Sequence, residues 1–220
     1  MKSLLLRIAW FLVAVCIGLL PAWAQSKPEK PDESKEPPLK YTLAIGAKSM
    51  TVLDGQSVTA SGEFKDPAIS ITAQPTRVFP YGGLSFNYPH GFTFEADLSD
   101  PSNKIWTLSG NDFKIMYFAM EVDLTPAQYA AEIINQIGKE RCRVSDPNAK
   151  MTLGKIELVG ARIRMEVVAH PMTMDVYRVP RKGKNFGLLV FQDSVDDSGK
   201  HSQEGLDTLA TLKSSFSLNE

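Results

Sequence analysis

Two apolar runs leave few folds open to this chain. Residues 113–122 are apolar on both sides, with Ile115, Tyr117 and Ala119 on one and Met116, Phe118 and Met120 on the other. Residues 185–192 repeat the pattern with Phe186, Leu188, Leu189, Val190 and Phe191. Runs this short with no wet face read as strands in mid-sheet, roofed above and below. The neighbouring texture is half-buried strand. Leu84, Phe86 and Tyr88 alternate, Pro89-His90-Gly91 turns the chain, and Phe92, Phe94 and Ala96 alternate on the return. Further strands are expected near residues 151–159, 161–168 and 173–179. In the second of these Ala161, Ile163, Met165 and Val167 face inward and Arg162, Arg164 and Glu166 face water. The turn Pro180-Arg181-Lys182-Gly183-Lys184 joins the third to the run at 185–192.

Two helices are signalled. Thr125-Pro126-Ala127-Gln128 has the form of a capping box with proline at the first helical position. Ala130, Ile133, Ile134 and Ile137 then recur at helical spacing and Gly138 stops the helix. A closing helix starts near Ser202, carries Glu204 in its first turn and presents Leu206, Leu209, Lys213 and Phe216 on one stripe, with Leu212 beside them. Two helices so far apart in sequence, with doubly covered strands between them, predict an α+β fold. The expected architecture is a mainly antiparallel β-sheet with helices on both faces, an α/β/α sandwich.

Four segments follow from composition. Residues 1–24 read as a secretory signal peptide: Lys2 and Arg7, an apolar run of 13 residues from Ile8 to Leu20, and Ala22-Trp23-Ala24 as the cleavage site. An uncleaved anchor stays open, since counting the run through Ala24 gives 17 residues against the roughly 20 of a comfortable span. Residues 25–40, with Pro28, Pro31, Pro37 and Pro38 among charges, read as a solvated linker. Residues 41–80 read as a β-rich extension of short strands around Tyr41 to Ile45, Met50 to Val52, Val58 to Ala60 and Ile69 to Ile71. Residues 81–220 form the main domain. Without the signal the chain keeps 22 basic and 25 acidic residues and one cysteine, Cys142. It therefore forms no internal disulfide, and it lacks the basic excess of a nucleic-acid binder. The expected location is periplasmic or extracellular, with no integral membrane span once the signal is gone.

Gly83-Leu84-Ser85-Phe86-Asn87-Tyr88-Pro89-His90-Gly91-Phe92 resembles the opening strand and turn of PsbP-like domains, a family that also takes in bacterial envelope proteins of the DcrB and LpqN type. Val159-Gly160-Ala161-Arg162-Ile163-Arg164 resembles their middle strand. Leu209-Ala210-Thr211-Leu212-Lys213-Ser214-Ser215-Phe216 resembles their closing helix. The resemblance runs over residues 81–218. It implies an α/β/α sandwich that serves mainly as a non-catalytic binding or assembly module, and it transfers no site residue.

The sequence carries no metal-ligand spacing, no nucleophile elbow and no phosphate-cradling glycine loop, so no cofactor and no metal are expected. The leading reading is an exported non-enzymatic module that binds an envelope protein or surface component. Two alternatives remain open: a hydrolase using His90 or His170 with a serine and an aspartate brought together by folding, or a small-ligand binder. Candidate binding residues are Tyr81, Tyr88, His90 and Phe92 at the opening turn, and Arg178, Arg181 and Lys182 in a basic cluster that could meet an anionic surface. The plainer account makes the aromatics core and the cations a polar hairpin tip. Cys142, between Arg141 and Arg143, is either a thiolate favoured by cations or a small buried residue; buried cysteine is the commoner case. The acids of Asp193-Ser194-Val195-Asp196-Asp197 read as a solvated turn before the last helix rather than a calcium loop.

Overall fold

The structure, a computed structural model, describes residues 31–167, 170–181 and 186–219. Residues 32–220 form one compact unit. The signal peptide, Lys182 and Lys184 lie outside the described residues. Among the described residues thirteen strands and two helices follow one another in the order β1 Lys40–Ile45, β2 Lys48–Leu53, β3 Ile69–Ala73, β4 Thr76–Phe79, β5 Leu84–Pro89, β6 Thr93–Asp100, β7 Asn103–Ser109, β8 Phe113–Met120, α1 Pro126–Ile137, β9 Cys142–Leu153, β10 Ile156–Val167, β11 His170–Val179, β12 Phe186–Ser194, α2 Gln203–Ser215 and β13 Ser217–Leu218.

Seven strands make the main antiparallel sheet, in the order β6-β7-β8-β12-β11-β10-β9. The two apolar runs lie side by side at its centre, with Leu189 opposite Tyr117 and Phe191 opposite Ile115. Alternation sends Leu189 and Phe191 into one core cluster and Leu188 and Val190 into another. The second cluster is closed by α1 through Ala130, Ile133, Ile134 and Ile137. The first is aromatic. Trp106 lies between Tyr81 and Tyr117, nearly parallel to both at 6.1 and 5.7 Å, and Phe79 meets all three edge-on. Such pairs add roughly 0.5–1.5 kcal/mol each beyond their burial.

The expected α/β/α sandwich is overturned. Strand accounts for 53% of the structure and helix for 14%, so this is a β-rich fold with few helices. The reason is visible in the aromatic cluster. Phe79, Leu84, Phe86 and Tyr88 roof it from β4 and β5, which with β13 form a second sheet of order β13-β5-β4. The last helix joins that strand layer rather than making a helical one, with Ser215 Oγ accepting from Asn87 N of β5. Its buried stripe is Gly205, Thr208 and Leu212, whereas Leu206, expected inside, is 43% exposed. A third sheet, β2-β1-β3, uses the residues expected as a β-rich extension, although Val58 to Ala60 form no strand.

Residues just before β1 are bound to this body. Trp106 Nε1 donates to Glu33 O at 2.9 Å, Tyr81 Oη to Lys35 O at 2.5 Å and Arg77 Nη1 to Pro37 O at 2.6 Å. Pro37 and Leu39 are buried. The Tyr81-Gly82-Gly83 turn is fitted to the same cluster: Gly82 has φ +60°, and a Cβ there would lie 2.5 Å from Tyr117 Cε1. Tyr117 Oη donates to Gly82 O at 2.8 Å, which ties the turn to the central strand.

Candidate binding groove

An apolar concavity opens at the first turn of α1, against the sheet. That turn is fixed by Thr125, whose hydroxyl accepts from Gln128 N at 3.2 Å while Gln128 Oε1 accepts from Thr125 N at 2.9 Å. This is the capping box, with Pro126 at the start as expected. Pro126 and Ala127 therefore form a rigid wall. Opposite them stand Pro147 of β9, Val159 and Gly160 of β10, and Arg178 and Pro180 at the end of β11, around a volume of about 480 Å³. Pro147 is tolerated because β9 is an edge strand, and the β9–β10 register shifts beside it. Gly160 is required, since a Cβ would sit 1.9 Å from Val176 O of the next strand. Val159 is 49% exposed in the lining.

Arg178 and Glu157 give the groove a rim of both charges. Arg178 Nη2 lies 2.8 Å from Asp123 Oδ1, and its guanidinium stands 5.2 Å over the Phe186 ring. Both contacts restrain the side chain, which stays 42% exposed. Arg181 goes elsewhere, beside the Tyr117 hydroxyl. The described part of the basic cluster is therefore not one patch. Tyr81, Tyr88 and Phe92 are all buried in the aromatic cluster, where they pack instead of lining a cavity. Burial pushes the Tyr81 and Tyr88 hydroxyls above the ordinary tyrosine range. His90 is exposed in its turn, and among the described residues neither His90 nor His170 makes a side-chain hydrogen bond or an ion pair.

The histidine that does find a carboxylate is His201. Its Nδ1 lies 2.6 Å from Asp193 Oδ2, and Ser202 Oγ donates to Asp193 Oδ1 at 2.6 Å. Ser202 is also the N-cap of α2 and accepts from Gly205 N at 2.9 Å. Asp193 is thus the buried anchor of a helix start, and the turn at residues 193–197 is not an open loop of carboxylates. Among the described residues no group of three or more histidines, cysteines or acids is placed to hold a metal ion.

A smaller, polar basin of about 270 Å³ lies beyond the other end of α1, lined by Lys139, Arg141, Arg143, Arg164 and Glu166, with Cys142 in its wall. Cys142 is 2% exposed, and burial raises its thiol above the usual value despite the neighbouring arginines. Desolvation outweighs the cations because those guanidiniums point to water. The sequence shows the capping box and the valine of the groove. It does not show the groove, which depends on an edge strand whose proline and charges look like loop.

No family model matches this chain, and no curated protein does either. Among solved structures it is similar to LpqN, a protein involved in cell envelope biogenesis of Mycobacterium tuberculosis, at 15% identity and a TM-score of 0.39, over 62% of this chain and 83% of that one. A likeness of that depth carries no functional argument, and the PsbP-like resemblance rests on its quoted motifs alone. Among the described residues no helix is long and apolar enough to cross a membrane.

Proposed function

We propose that this chain is an exported, non-enzymatic binding module of the cell envelope, and that the groove between the start of α1 and strands β9–β11 takes its partner, an envelope protein or surface component. The observation that carries the reading is the groove itself: an apolar hollow of about 480 Å³, walled by prolines and a half-exposed valine and rimmed by an ion-paired arginine. Apolar concavities with one or two fixed polar groups are the usual form of binding sites. The amino-terminal pattern of positive start, apolar run and Ala-x-Ala supports export.

Val159→Arg fills the hollow from an exposed position and leaves the core untouched. Partners cross-linked to the chain in envelope extracts should be lost with this variant and kept with a substitution outside the groove lining, such as Lys114→Ala. Identical capture by both would sink the reading. The intact mass of the exported protein tests the other half: a chain beginning at Gln25 is expected, and a chain found only in the cytoplasm at full mass overturns export.

A further inference from the structure

Among the described residues each sheet has two outer strands, and all but one of these are guarded. An unguarded edge offers its free backbone groups to any other chain, and natural edges are blunted by charge, proline, bulges or shortness. In the main sheet β6 carries Glu95, Asp97 and Asp100, and β9 carries Arg143, Pro147 and shifts of register. In the second sheet β4 is four residues long and carries Arg77, and β13 is two residues long. In the third, β2 carries Lys48. The exception is β3, Ile69-Ser70-Ile71-Thr72-Ala73, uncharged, free of proline and exposed at all five positions.

The register of this strand says which groups are free. Gly46 N donates to Ala68 O and Gln74 N donates to Lys40 O. Even-numbered residues of β3 therefore point their backbone groups at β1, and Ile69, Ile71 and Ala73 point theirs outward. Ile69 and Ile71 are 67% and 65% exposed. Their side chains continue a stripe that crosses the sheet, with Ile71 beside Leu43 and Met50, and Ala73 beside Tyr41 and Val52.

We infer that β3 pairs with β3 of a second copy of this chain, antiparallel, about a twofold axis through Ile71. The strand is complementary to itself. Ile71 meets Ile71 of the partner, Ile69 meets its Ala73, and all three outward residues exchange both backbone hydrogen bonds. On the other face Ser70 meets Thr72. No charge opposes a like charge anywhere along the paired strands. The result is a six-stranded sheet with one continuous apolar stripe, β2-β1-β3 running into its copy. A single strand edge is a small interface, so the dimer is weak and concentration-dependent.

The test uses the full chain. Sedimentation velocity should show monomers giving way to dimers as concentration rises, and Ile71→Lys, which sets two ammonium groups on the axis, should lower the association constant by about tenfold or more. Two cysteine variants read the register. Residues directly opposite in a hydrogen-bonded pair have Cα atoms about 5.5 Å apart, within disulfide range, whereas residues two positions out of register exceed about 7 Å. Ile71→Cys should cross-link under mild oxidation and Ser70→Cys should not, each read against the unsubstituted chain, whose Cys142 is buried. A chain that stays monomeric to about 1 mM, the weak end of specific association, overturns the proposal. So does equal cross-linking of the two variants, or an edge taken up by a different protein in place of the copy.

Discussion

Arg162 and Asp175 pair across neighbouring strands with the carboxylate buried, and removing the cation alone should hurt more than removing both partners. Arg162 Nε and Nη2 donate to the two carboxylate oxygens of Asp175 at 2.6 and 2.7 Å, a bidentate fork between neighbouring strands β10 and β11. The carboxylate accepts little else, since Tyr177 Oη stands 3.4 Å away. The Asp175 side chain is 6% exposed and the Arg162 side chain 38%. Breaking a fully buried pair costs about 3–5 kcal/mol, and access of water to the Arg162 side discounts this to about 2–3 kcal/mol for Arg162→Met. The double variant Arg162→Met/Asp175→Leu replaces the pair with apolar groups and should lie within about 1 kcal/mol of the parent. For a chain of this size a loss of about 2–3 kcal/mol lowers Tm by about 4–12 °C. Urea denaturation of the parent, both single variants and the double variant closes the cycle. If the double variant is as unstable as Arg162→Met, the reasoning is refuted, because the cost then lies in lost packing and not in a stranded carboxylate.

Three further outcomes are expected. Burial pushes Tyr117 up to about 12, and it pushes Tyr88 and Tyr177 up as well. The folded state therefore holds protons that the unfolded chain releases. The stability this gives is complete below about pH 10 and falls by about 1.4 kcal/mol per tyrosine for each pH unit between about 10 and 12; the phenolate absorbance of these three should rise together with the loss of near-ultraviolet circular dichroism, and an intact fold in which all six tyrosines have become phenolate would contradict it. Thr125→Ala removes the cap of α1 and should cost about 1 kcal/mol by urea titration, with no change if the box is idle. Glu204 accepts from the backbone N–H groups of Asn111, Asp112 and Phe113 at 3.2, 2.6 and 2.9 Å, so Glu204→Ala should cost about 2 kcal/mol and speed amide exchange at those three positions, whereas unchanged exchange would remove the carboxylate from the account.

Where local chemistry decides, the sequence was readable. The α1 cap, the Ser202 start of α2 and the neighbouring central strands are set by residues within a few positions of one another. Where partners come from afar it was not. Strand β9 reads as loop because Arg143, Asp146, Pro147 and Lys150 show no alternation, and only its edge position in the sheet makes that composition admissible. The layer over the aromatic cluster is not legible from two helices far apart in sequence, because Phe79, Phe86 and Tyr88 bring a strand layer to that face. At the groove, Pro126 and Val159 are legible as a helix start and a strand residue, and their convergence is not. The pairing of His201 is not legible either, since its partner Asp193 is eight residues away across a bridge between Val195 and His201.

Trp106 has a use beyond packing. The sequence holds three tryptophans, Trp10, Trp23 and Trp106, and loss of residues 1–24 leaves the last as the sole indole emitter. Its ring is 1% exposed between two tyrosines and its N–H is held by Glu33 O, in the strap that precedes the first strand. Fluorescence of the processed protein is thus a built-in gauge of whether that strap is seated: peeling it away admits water to the indole and moves its emission to the red.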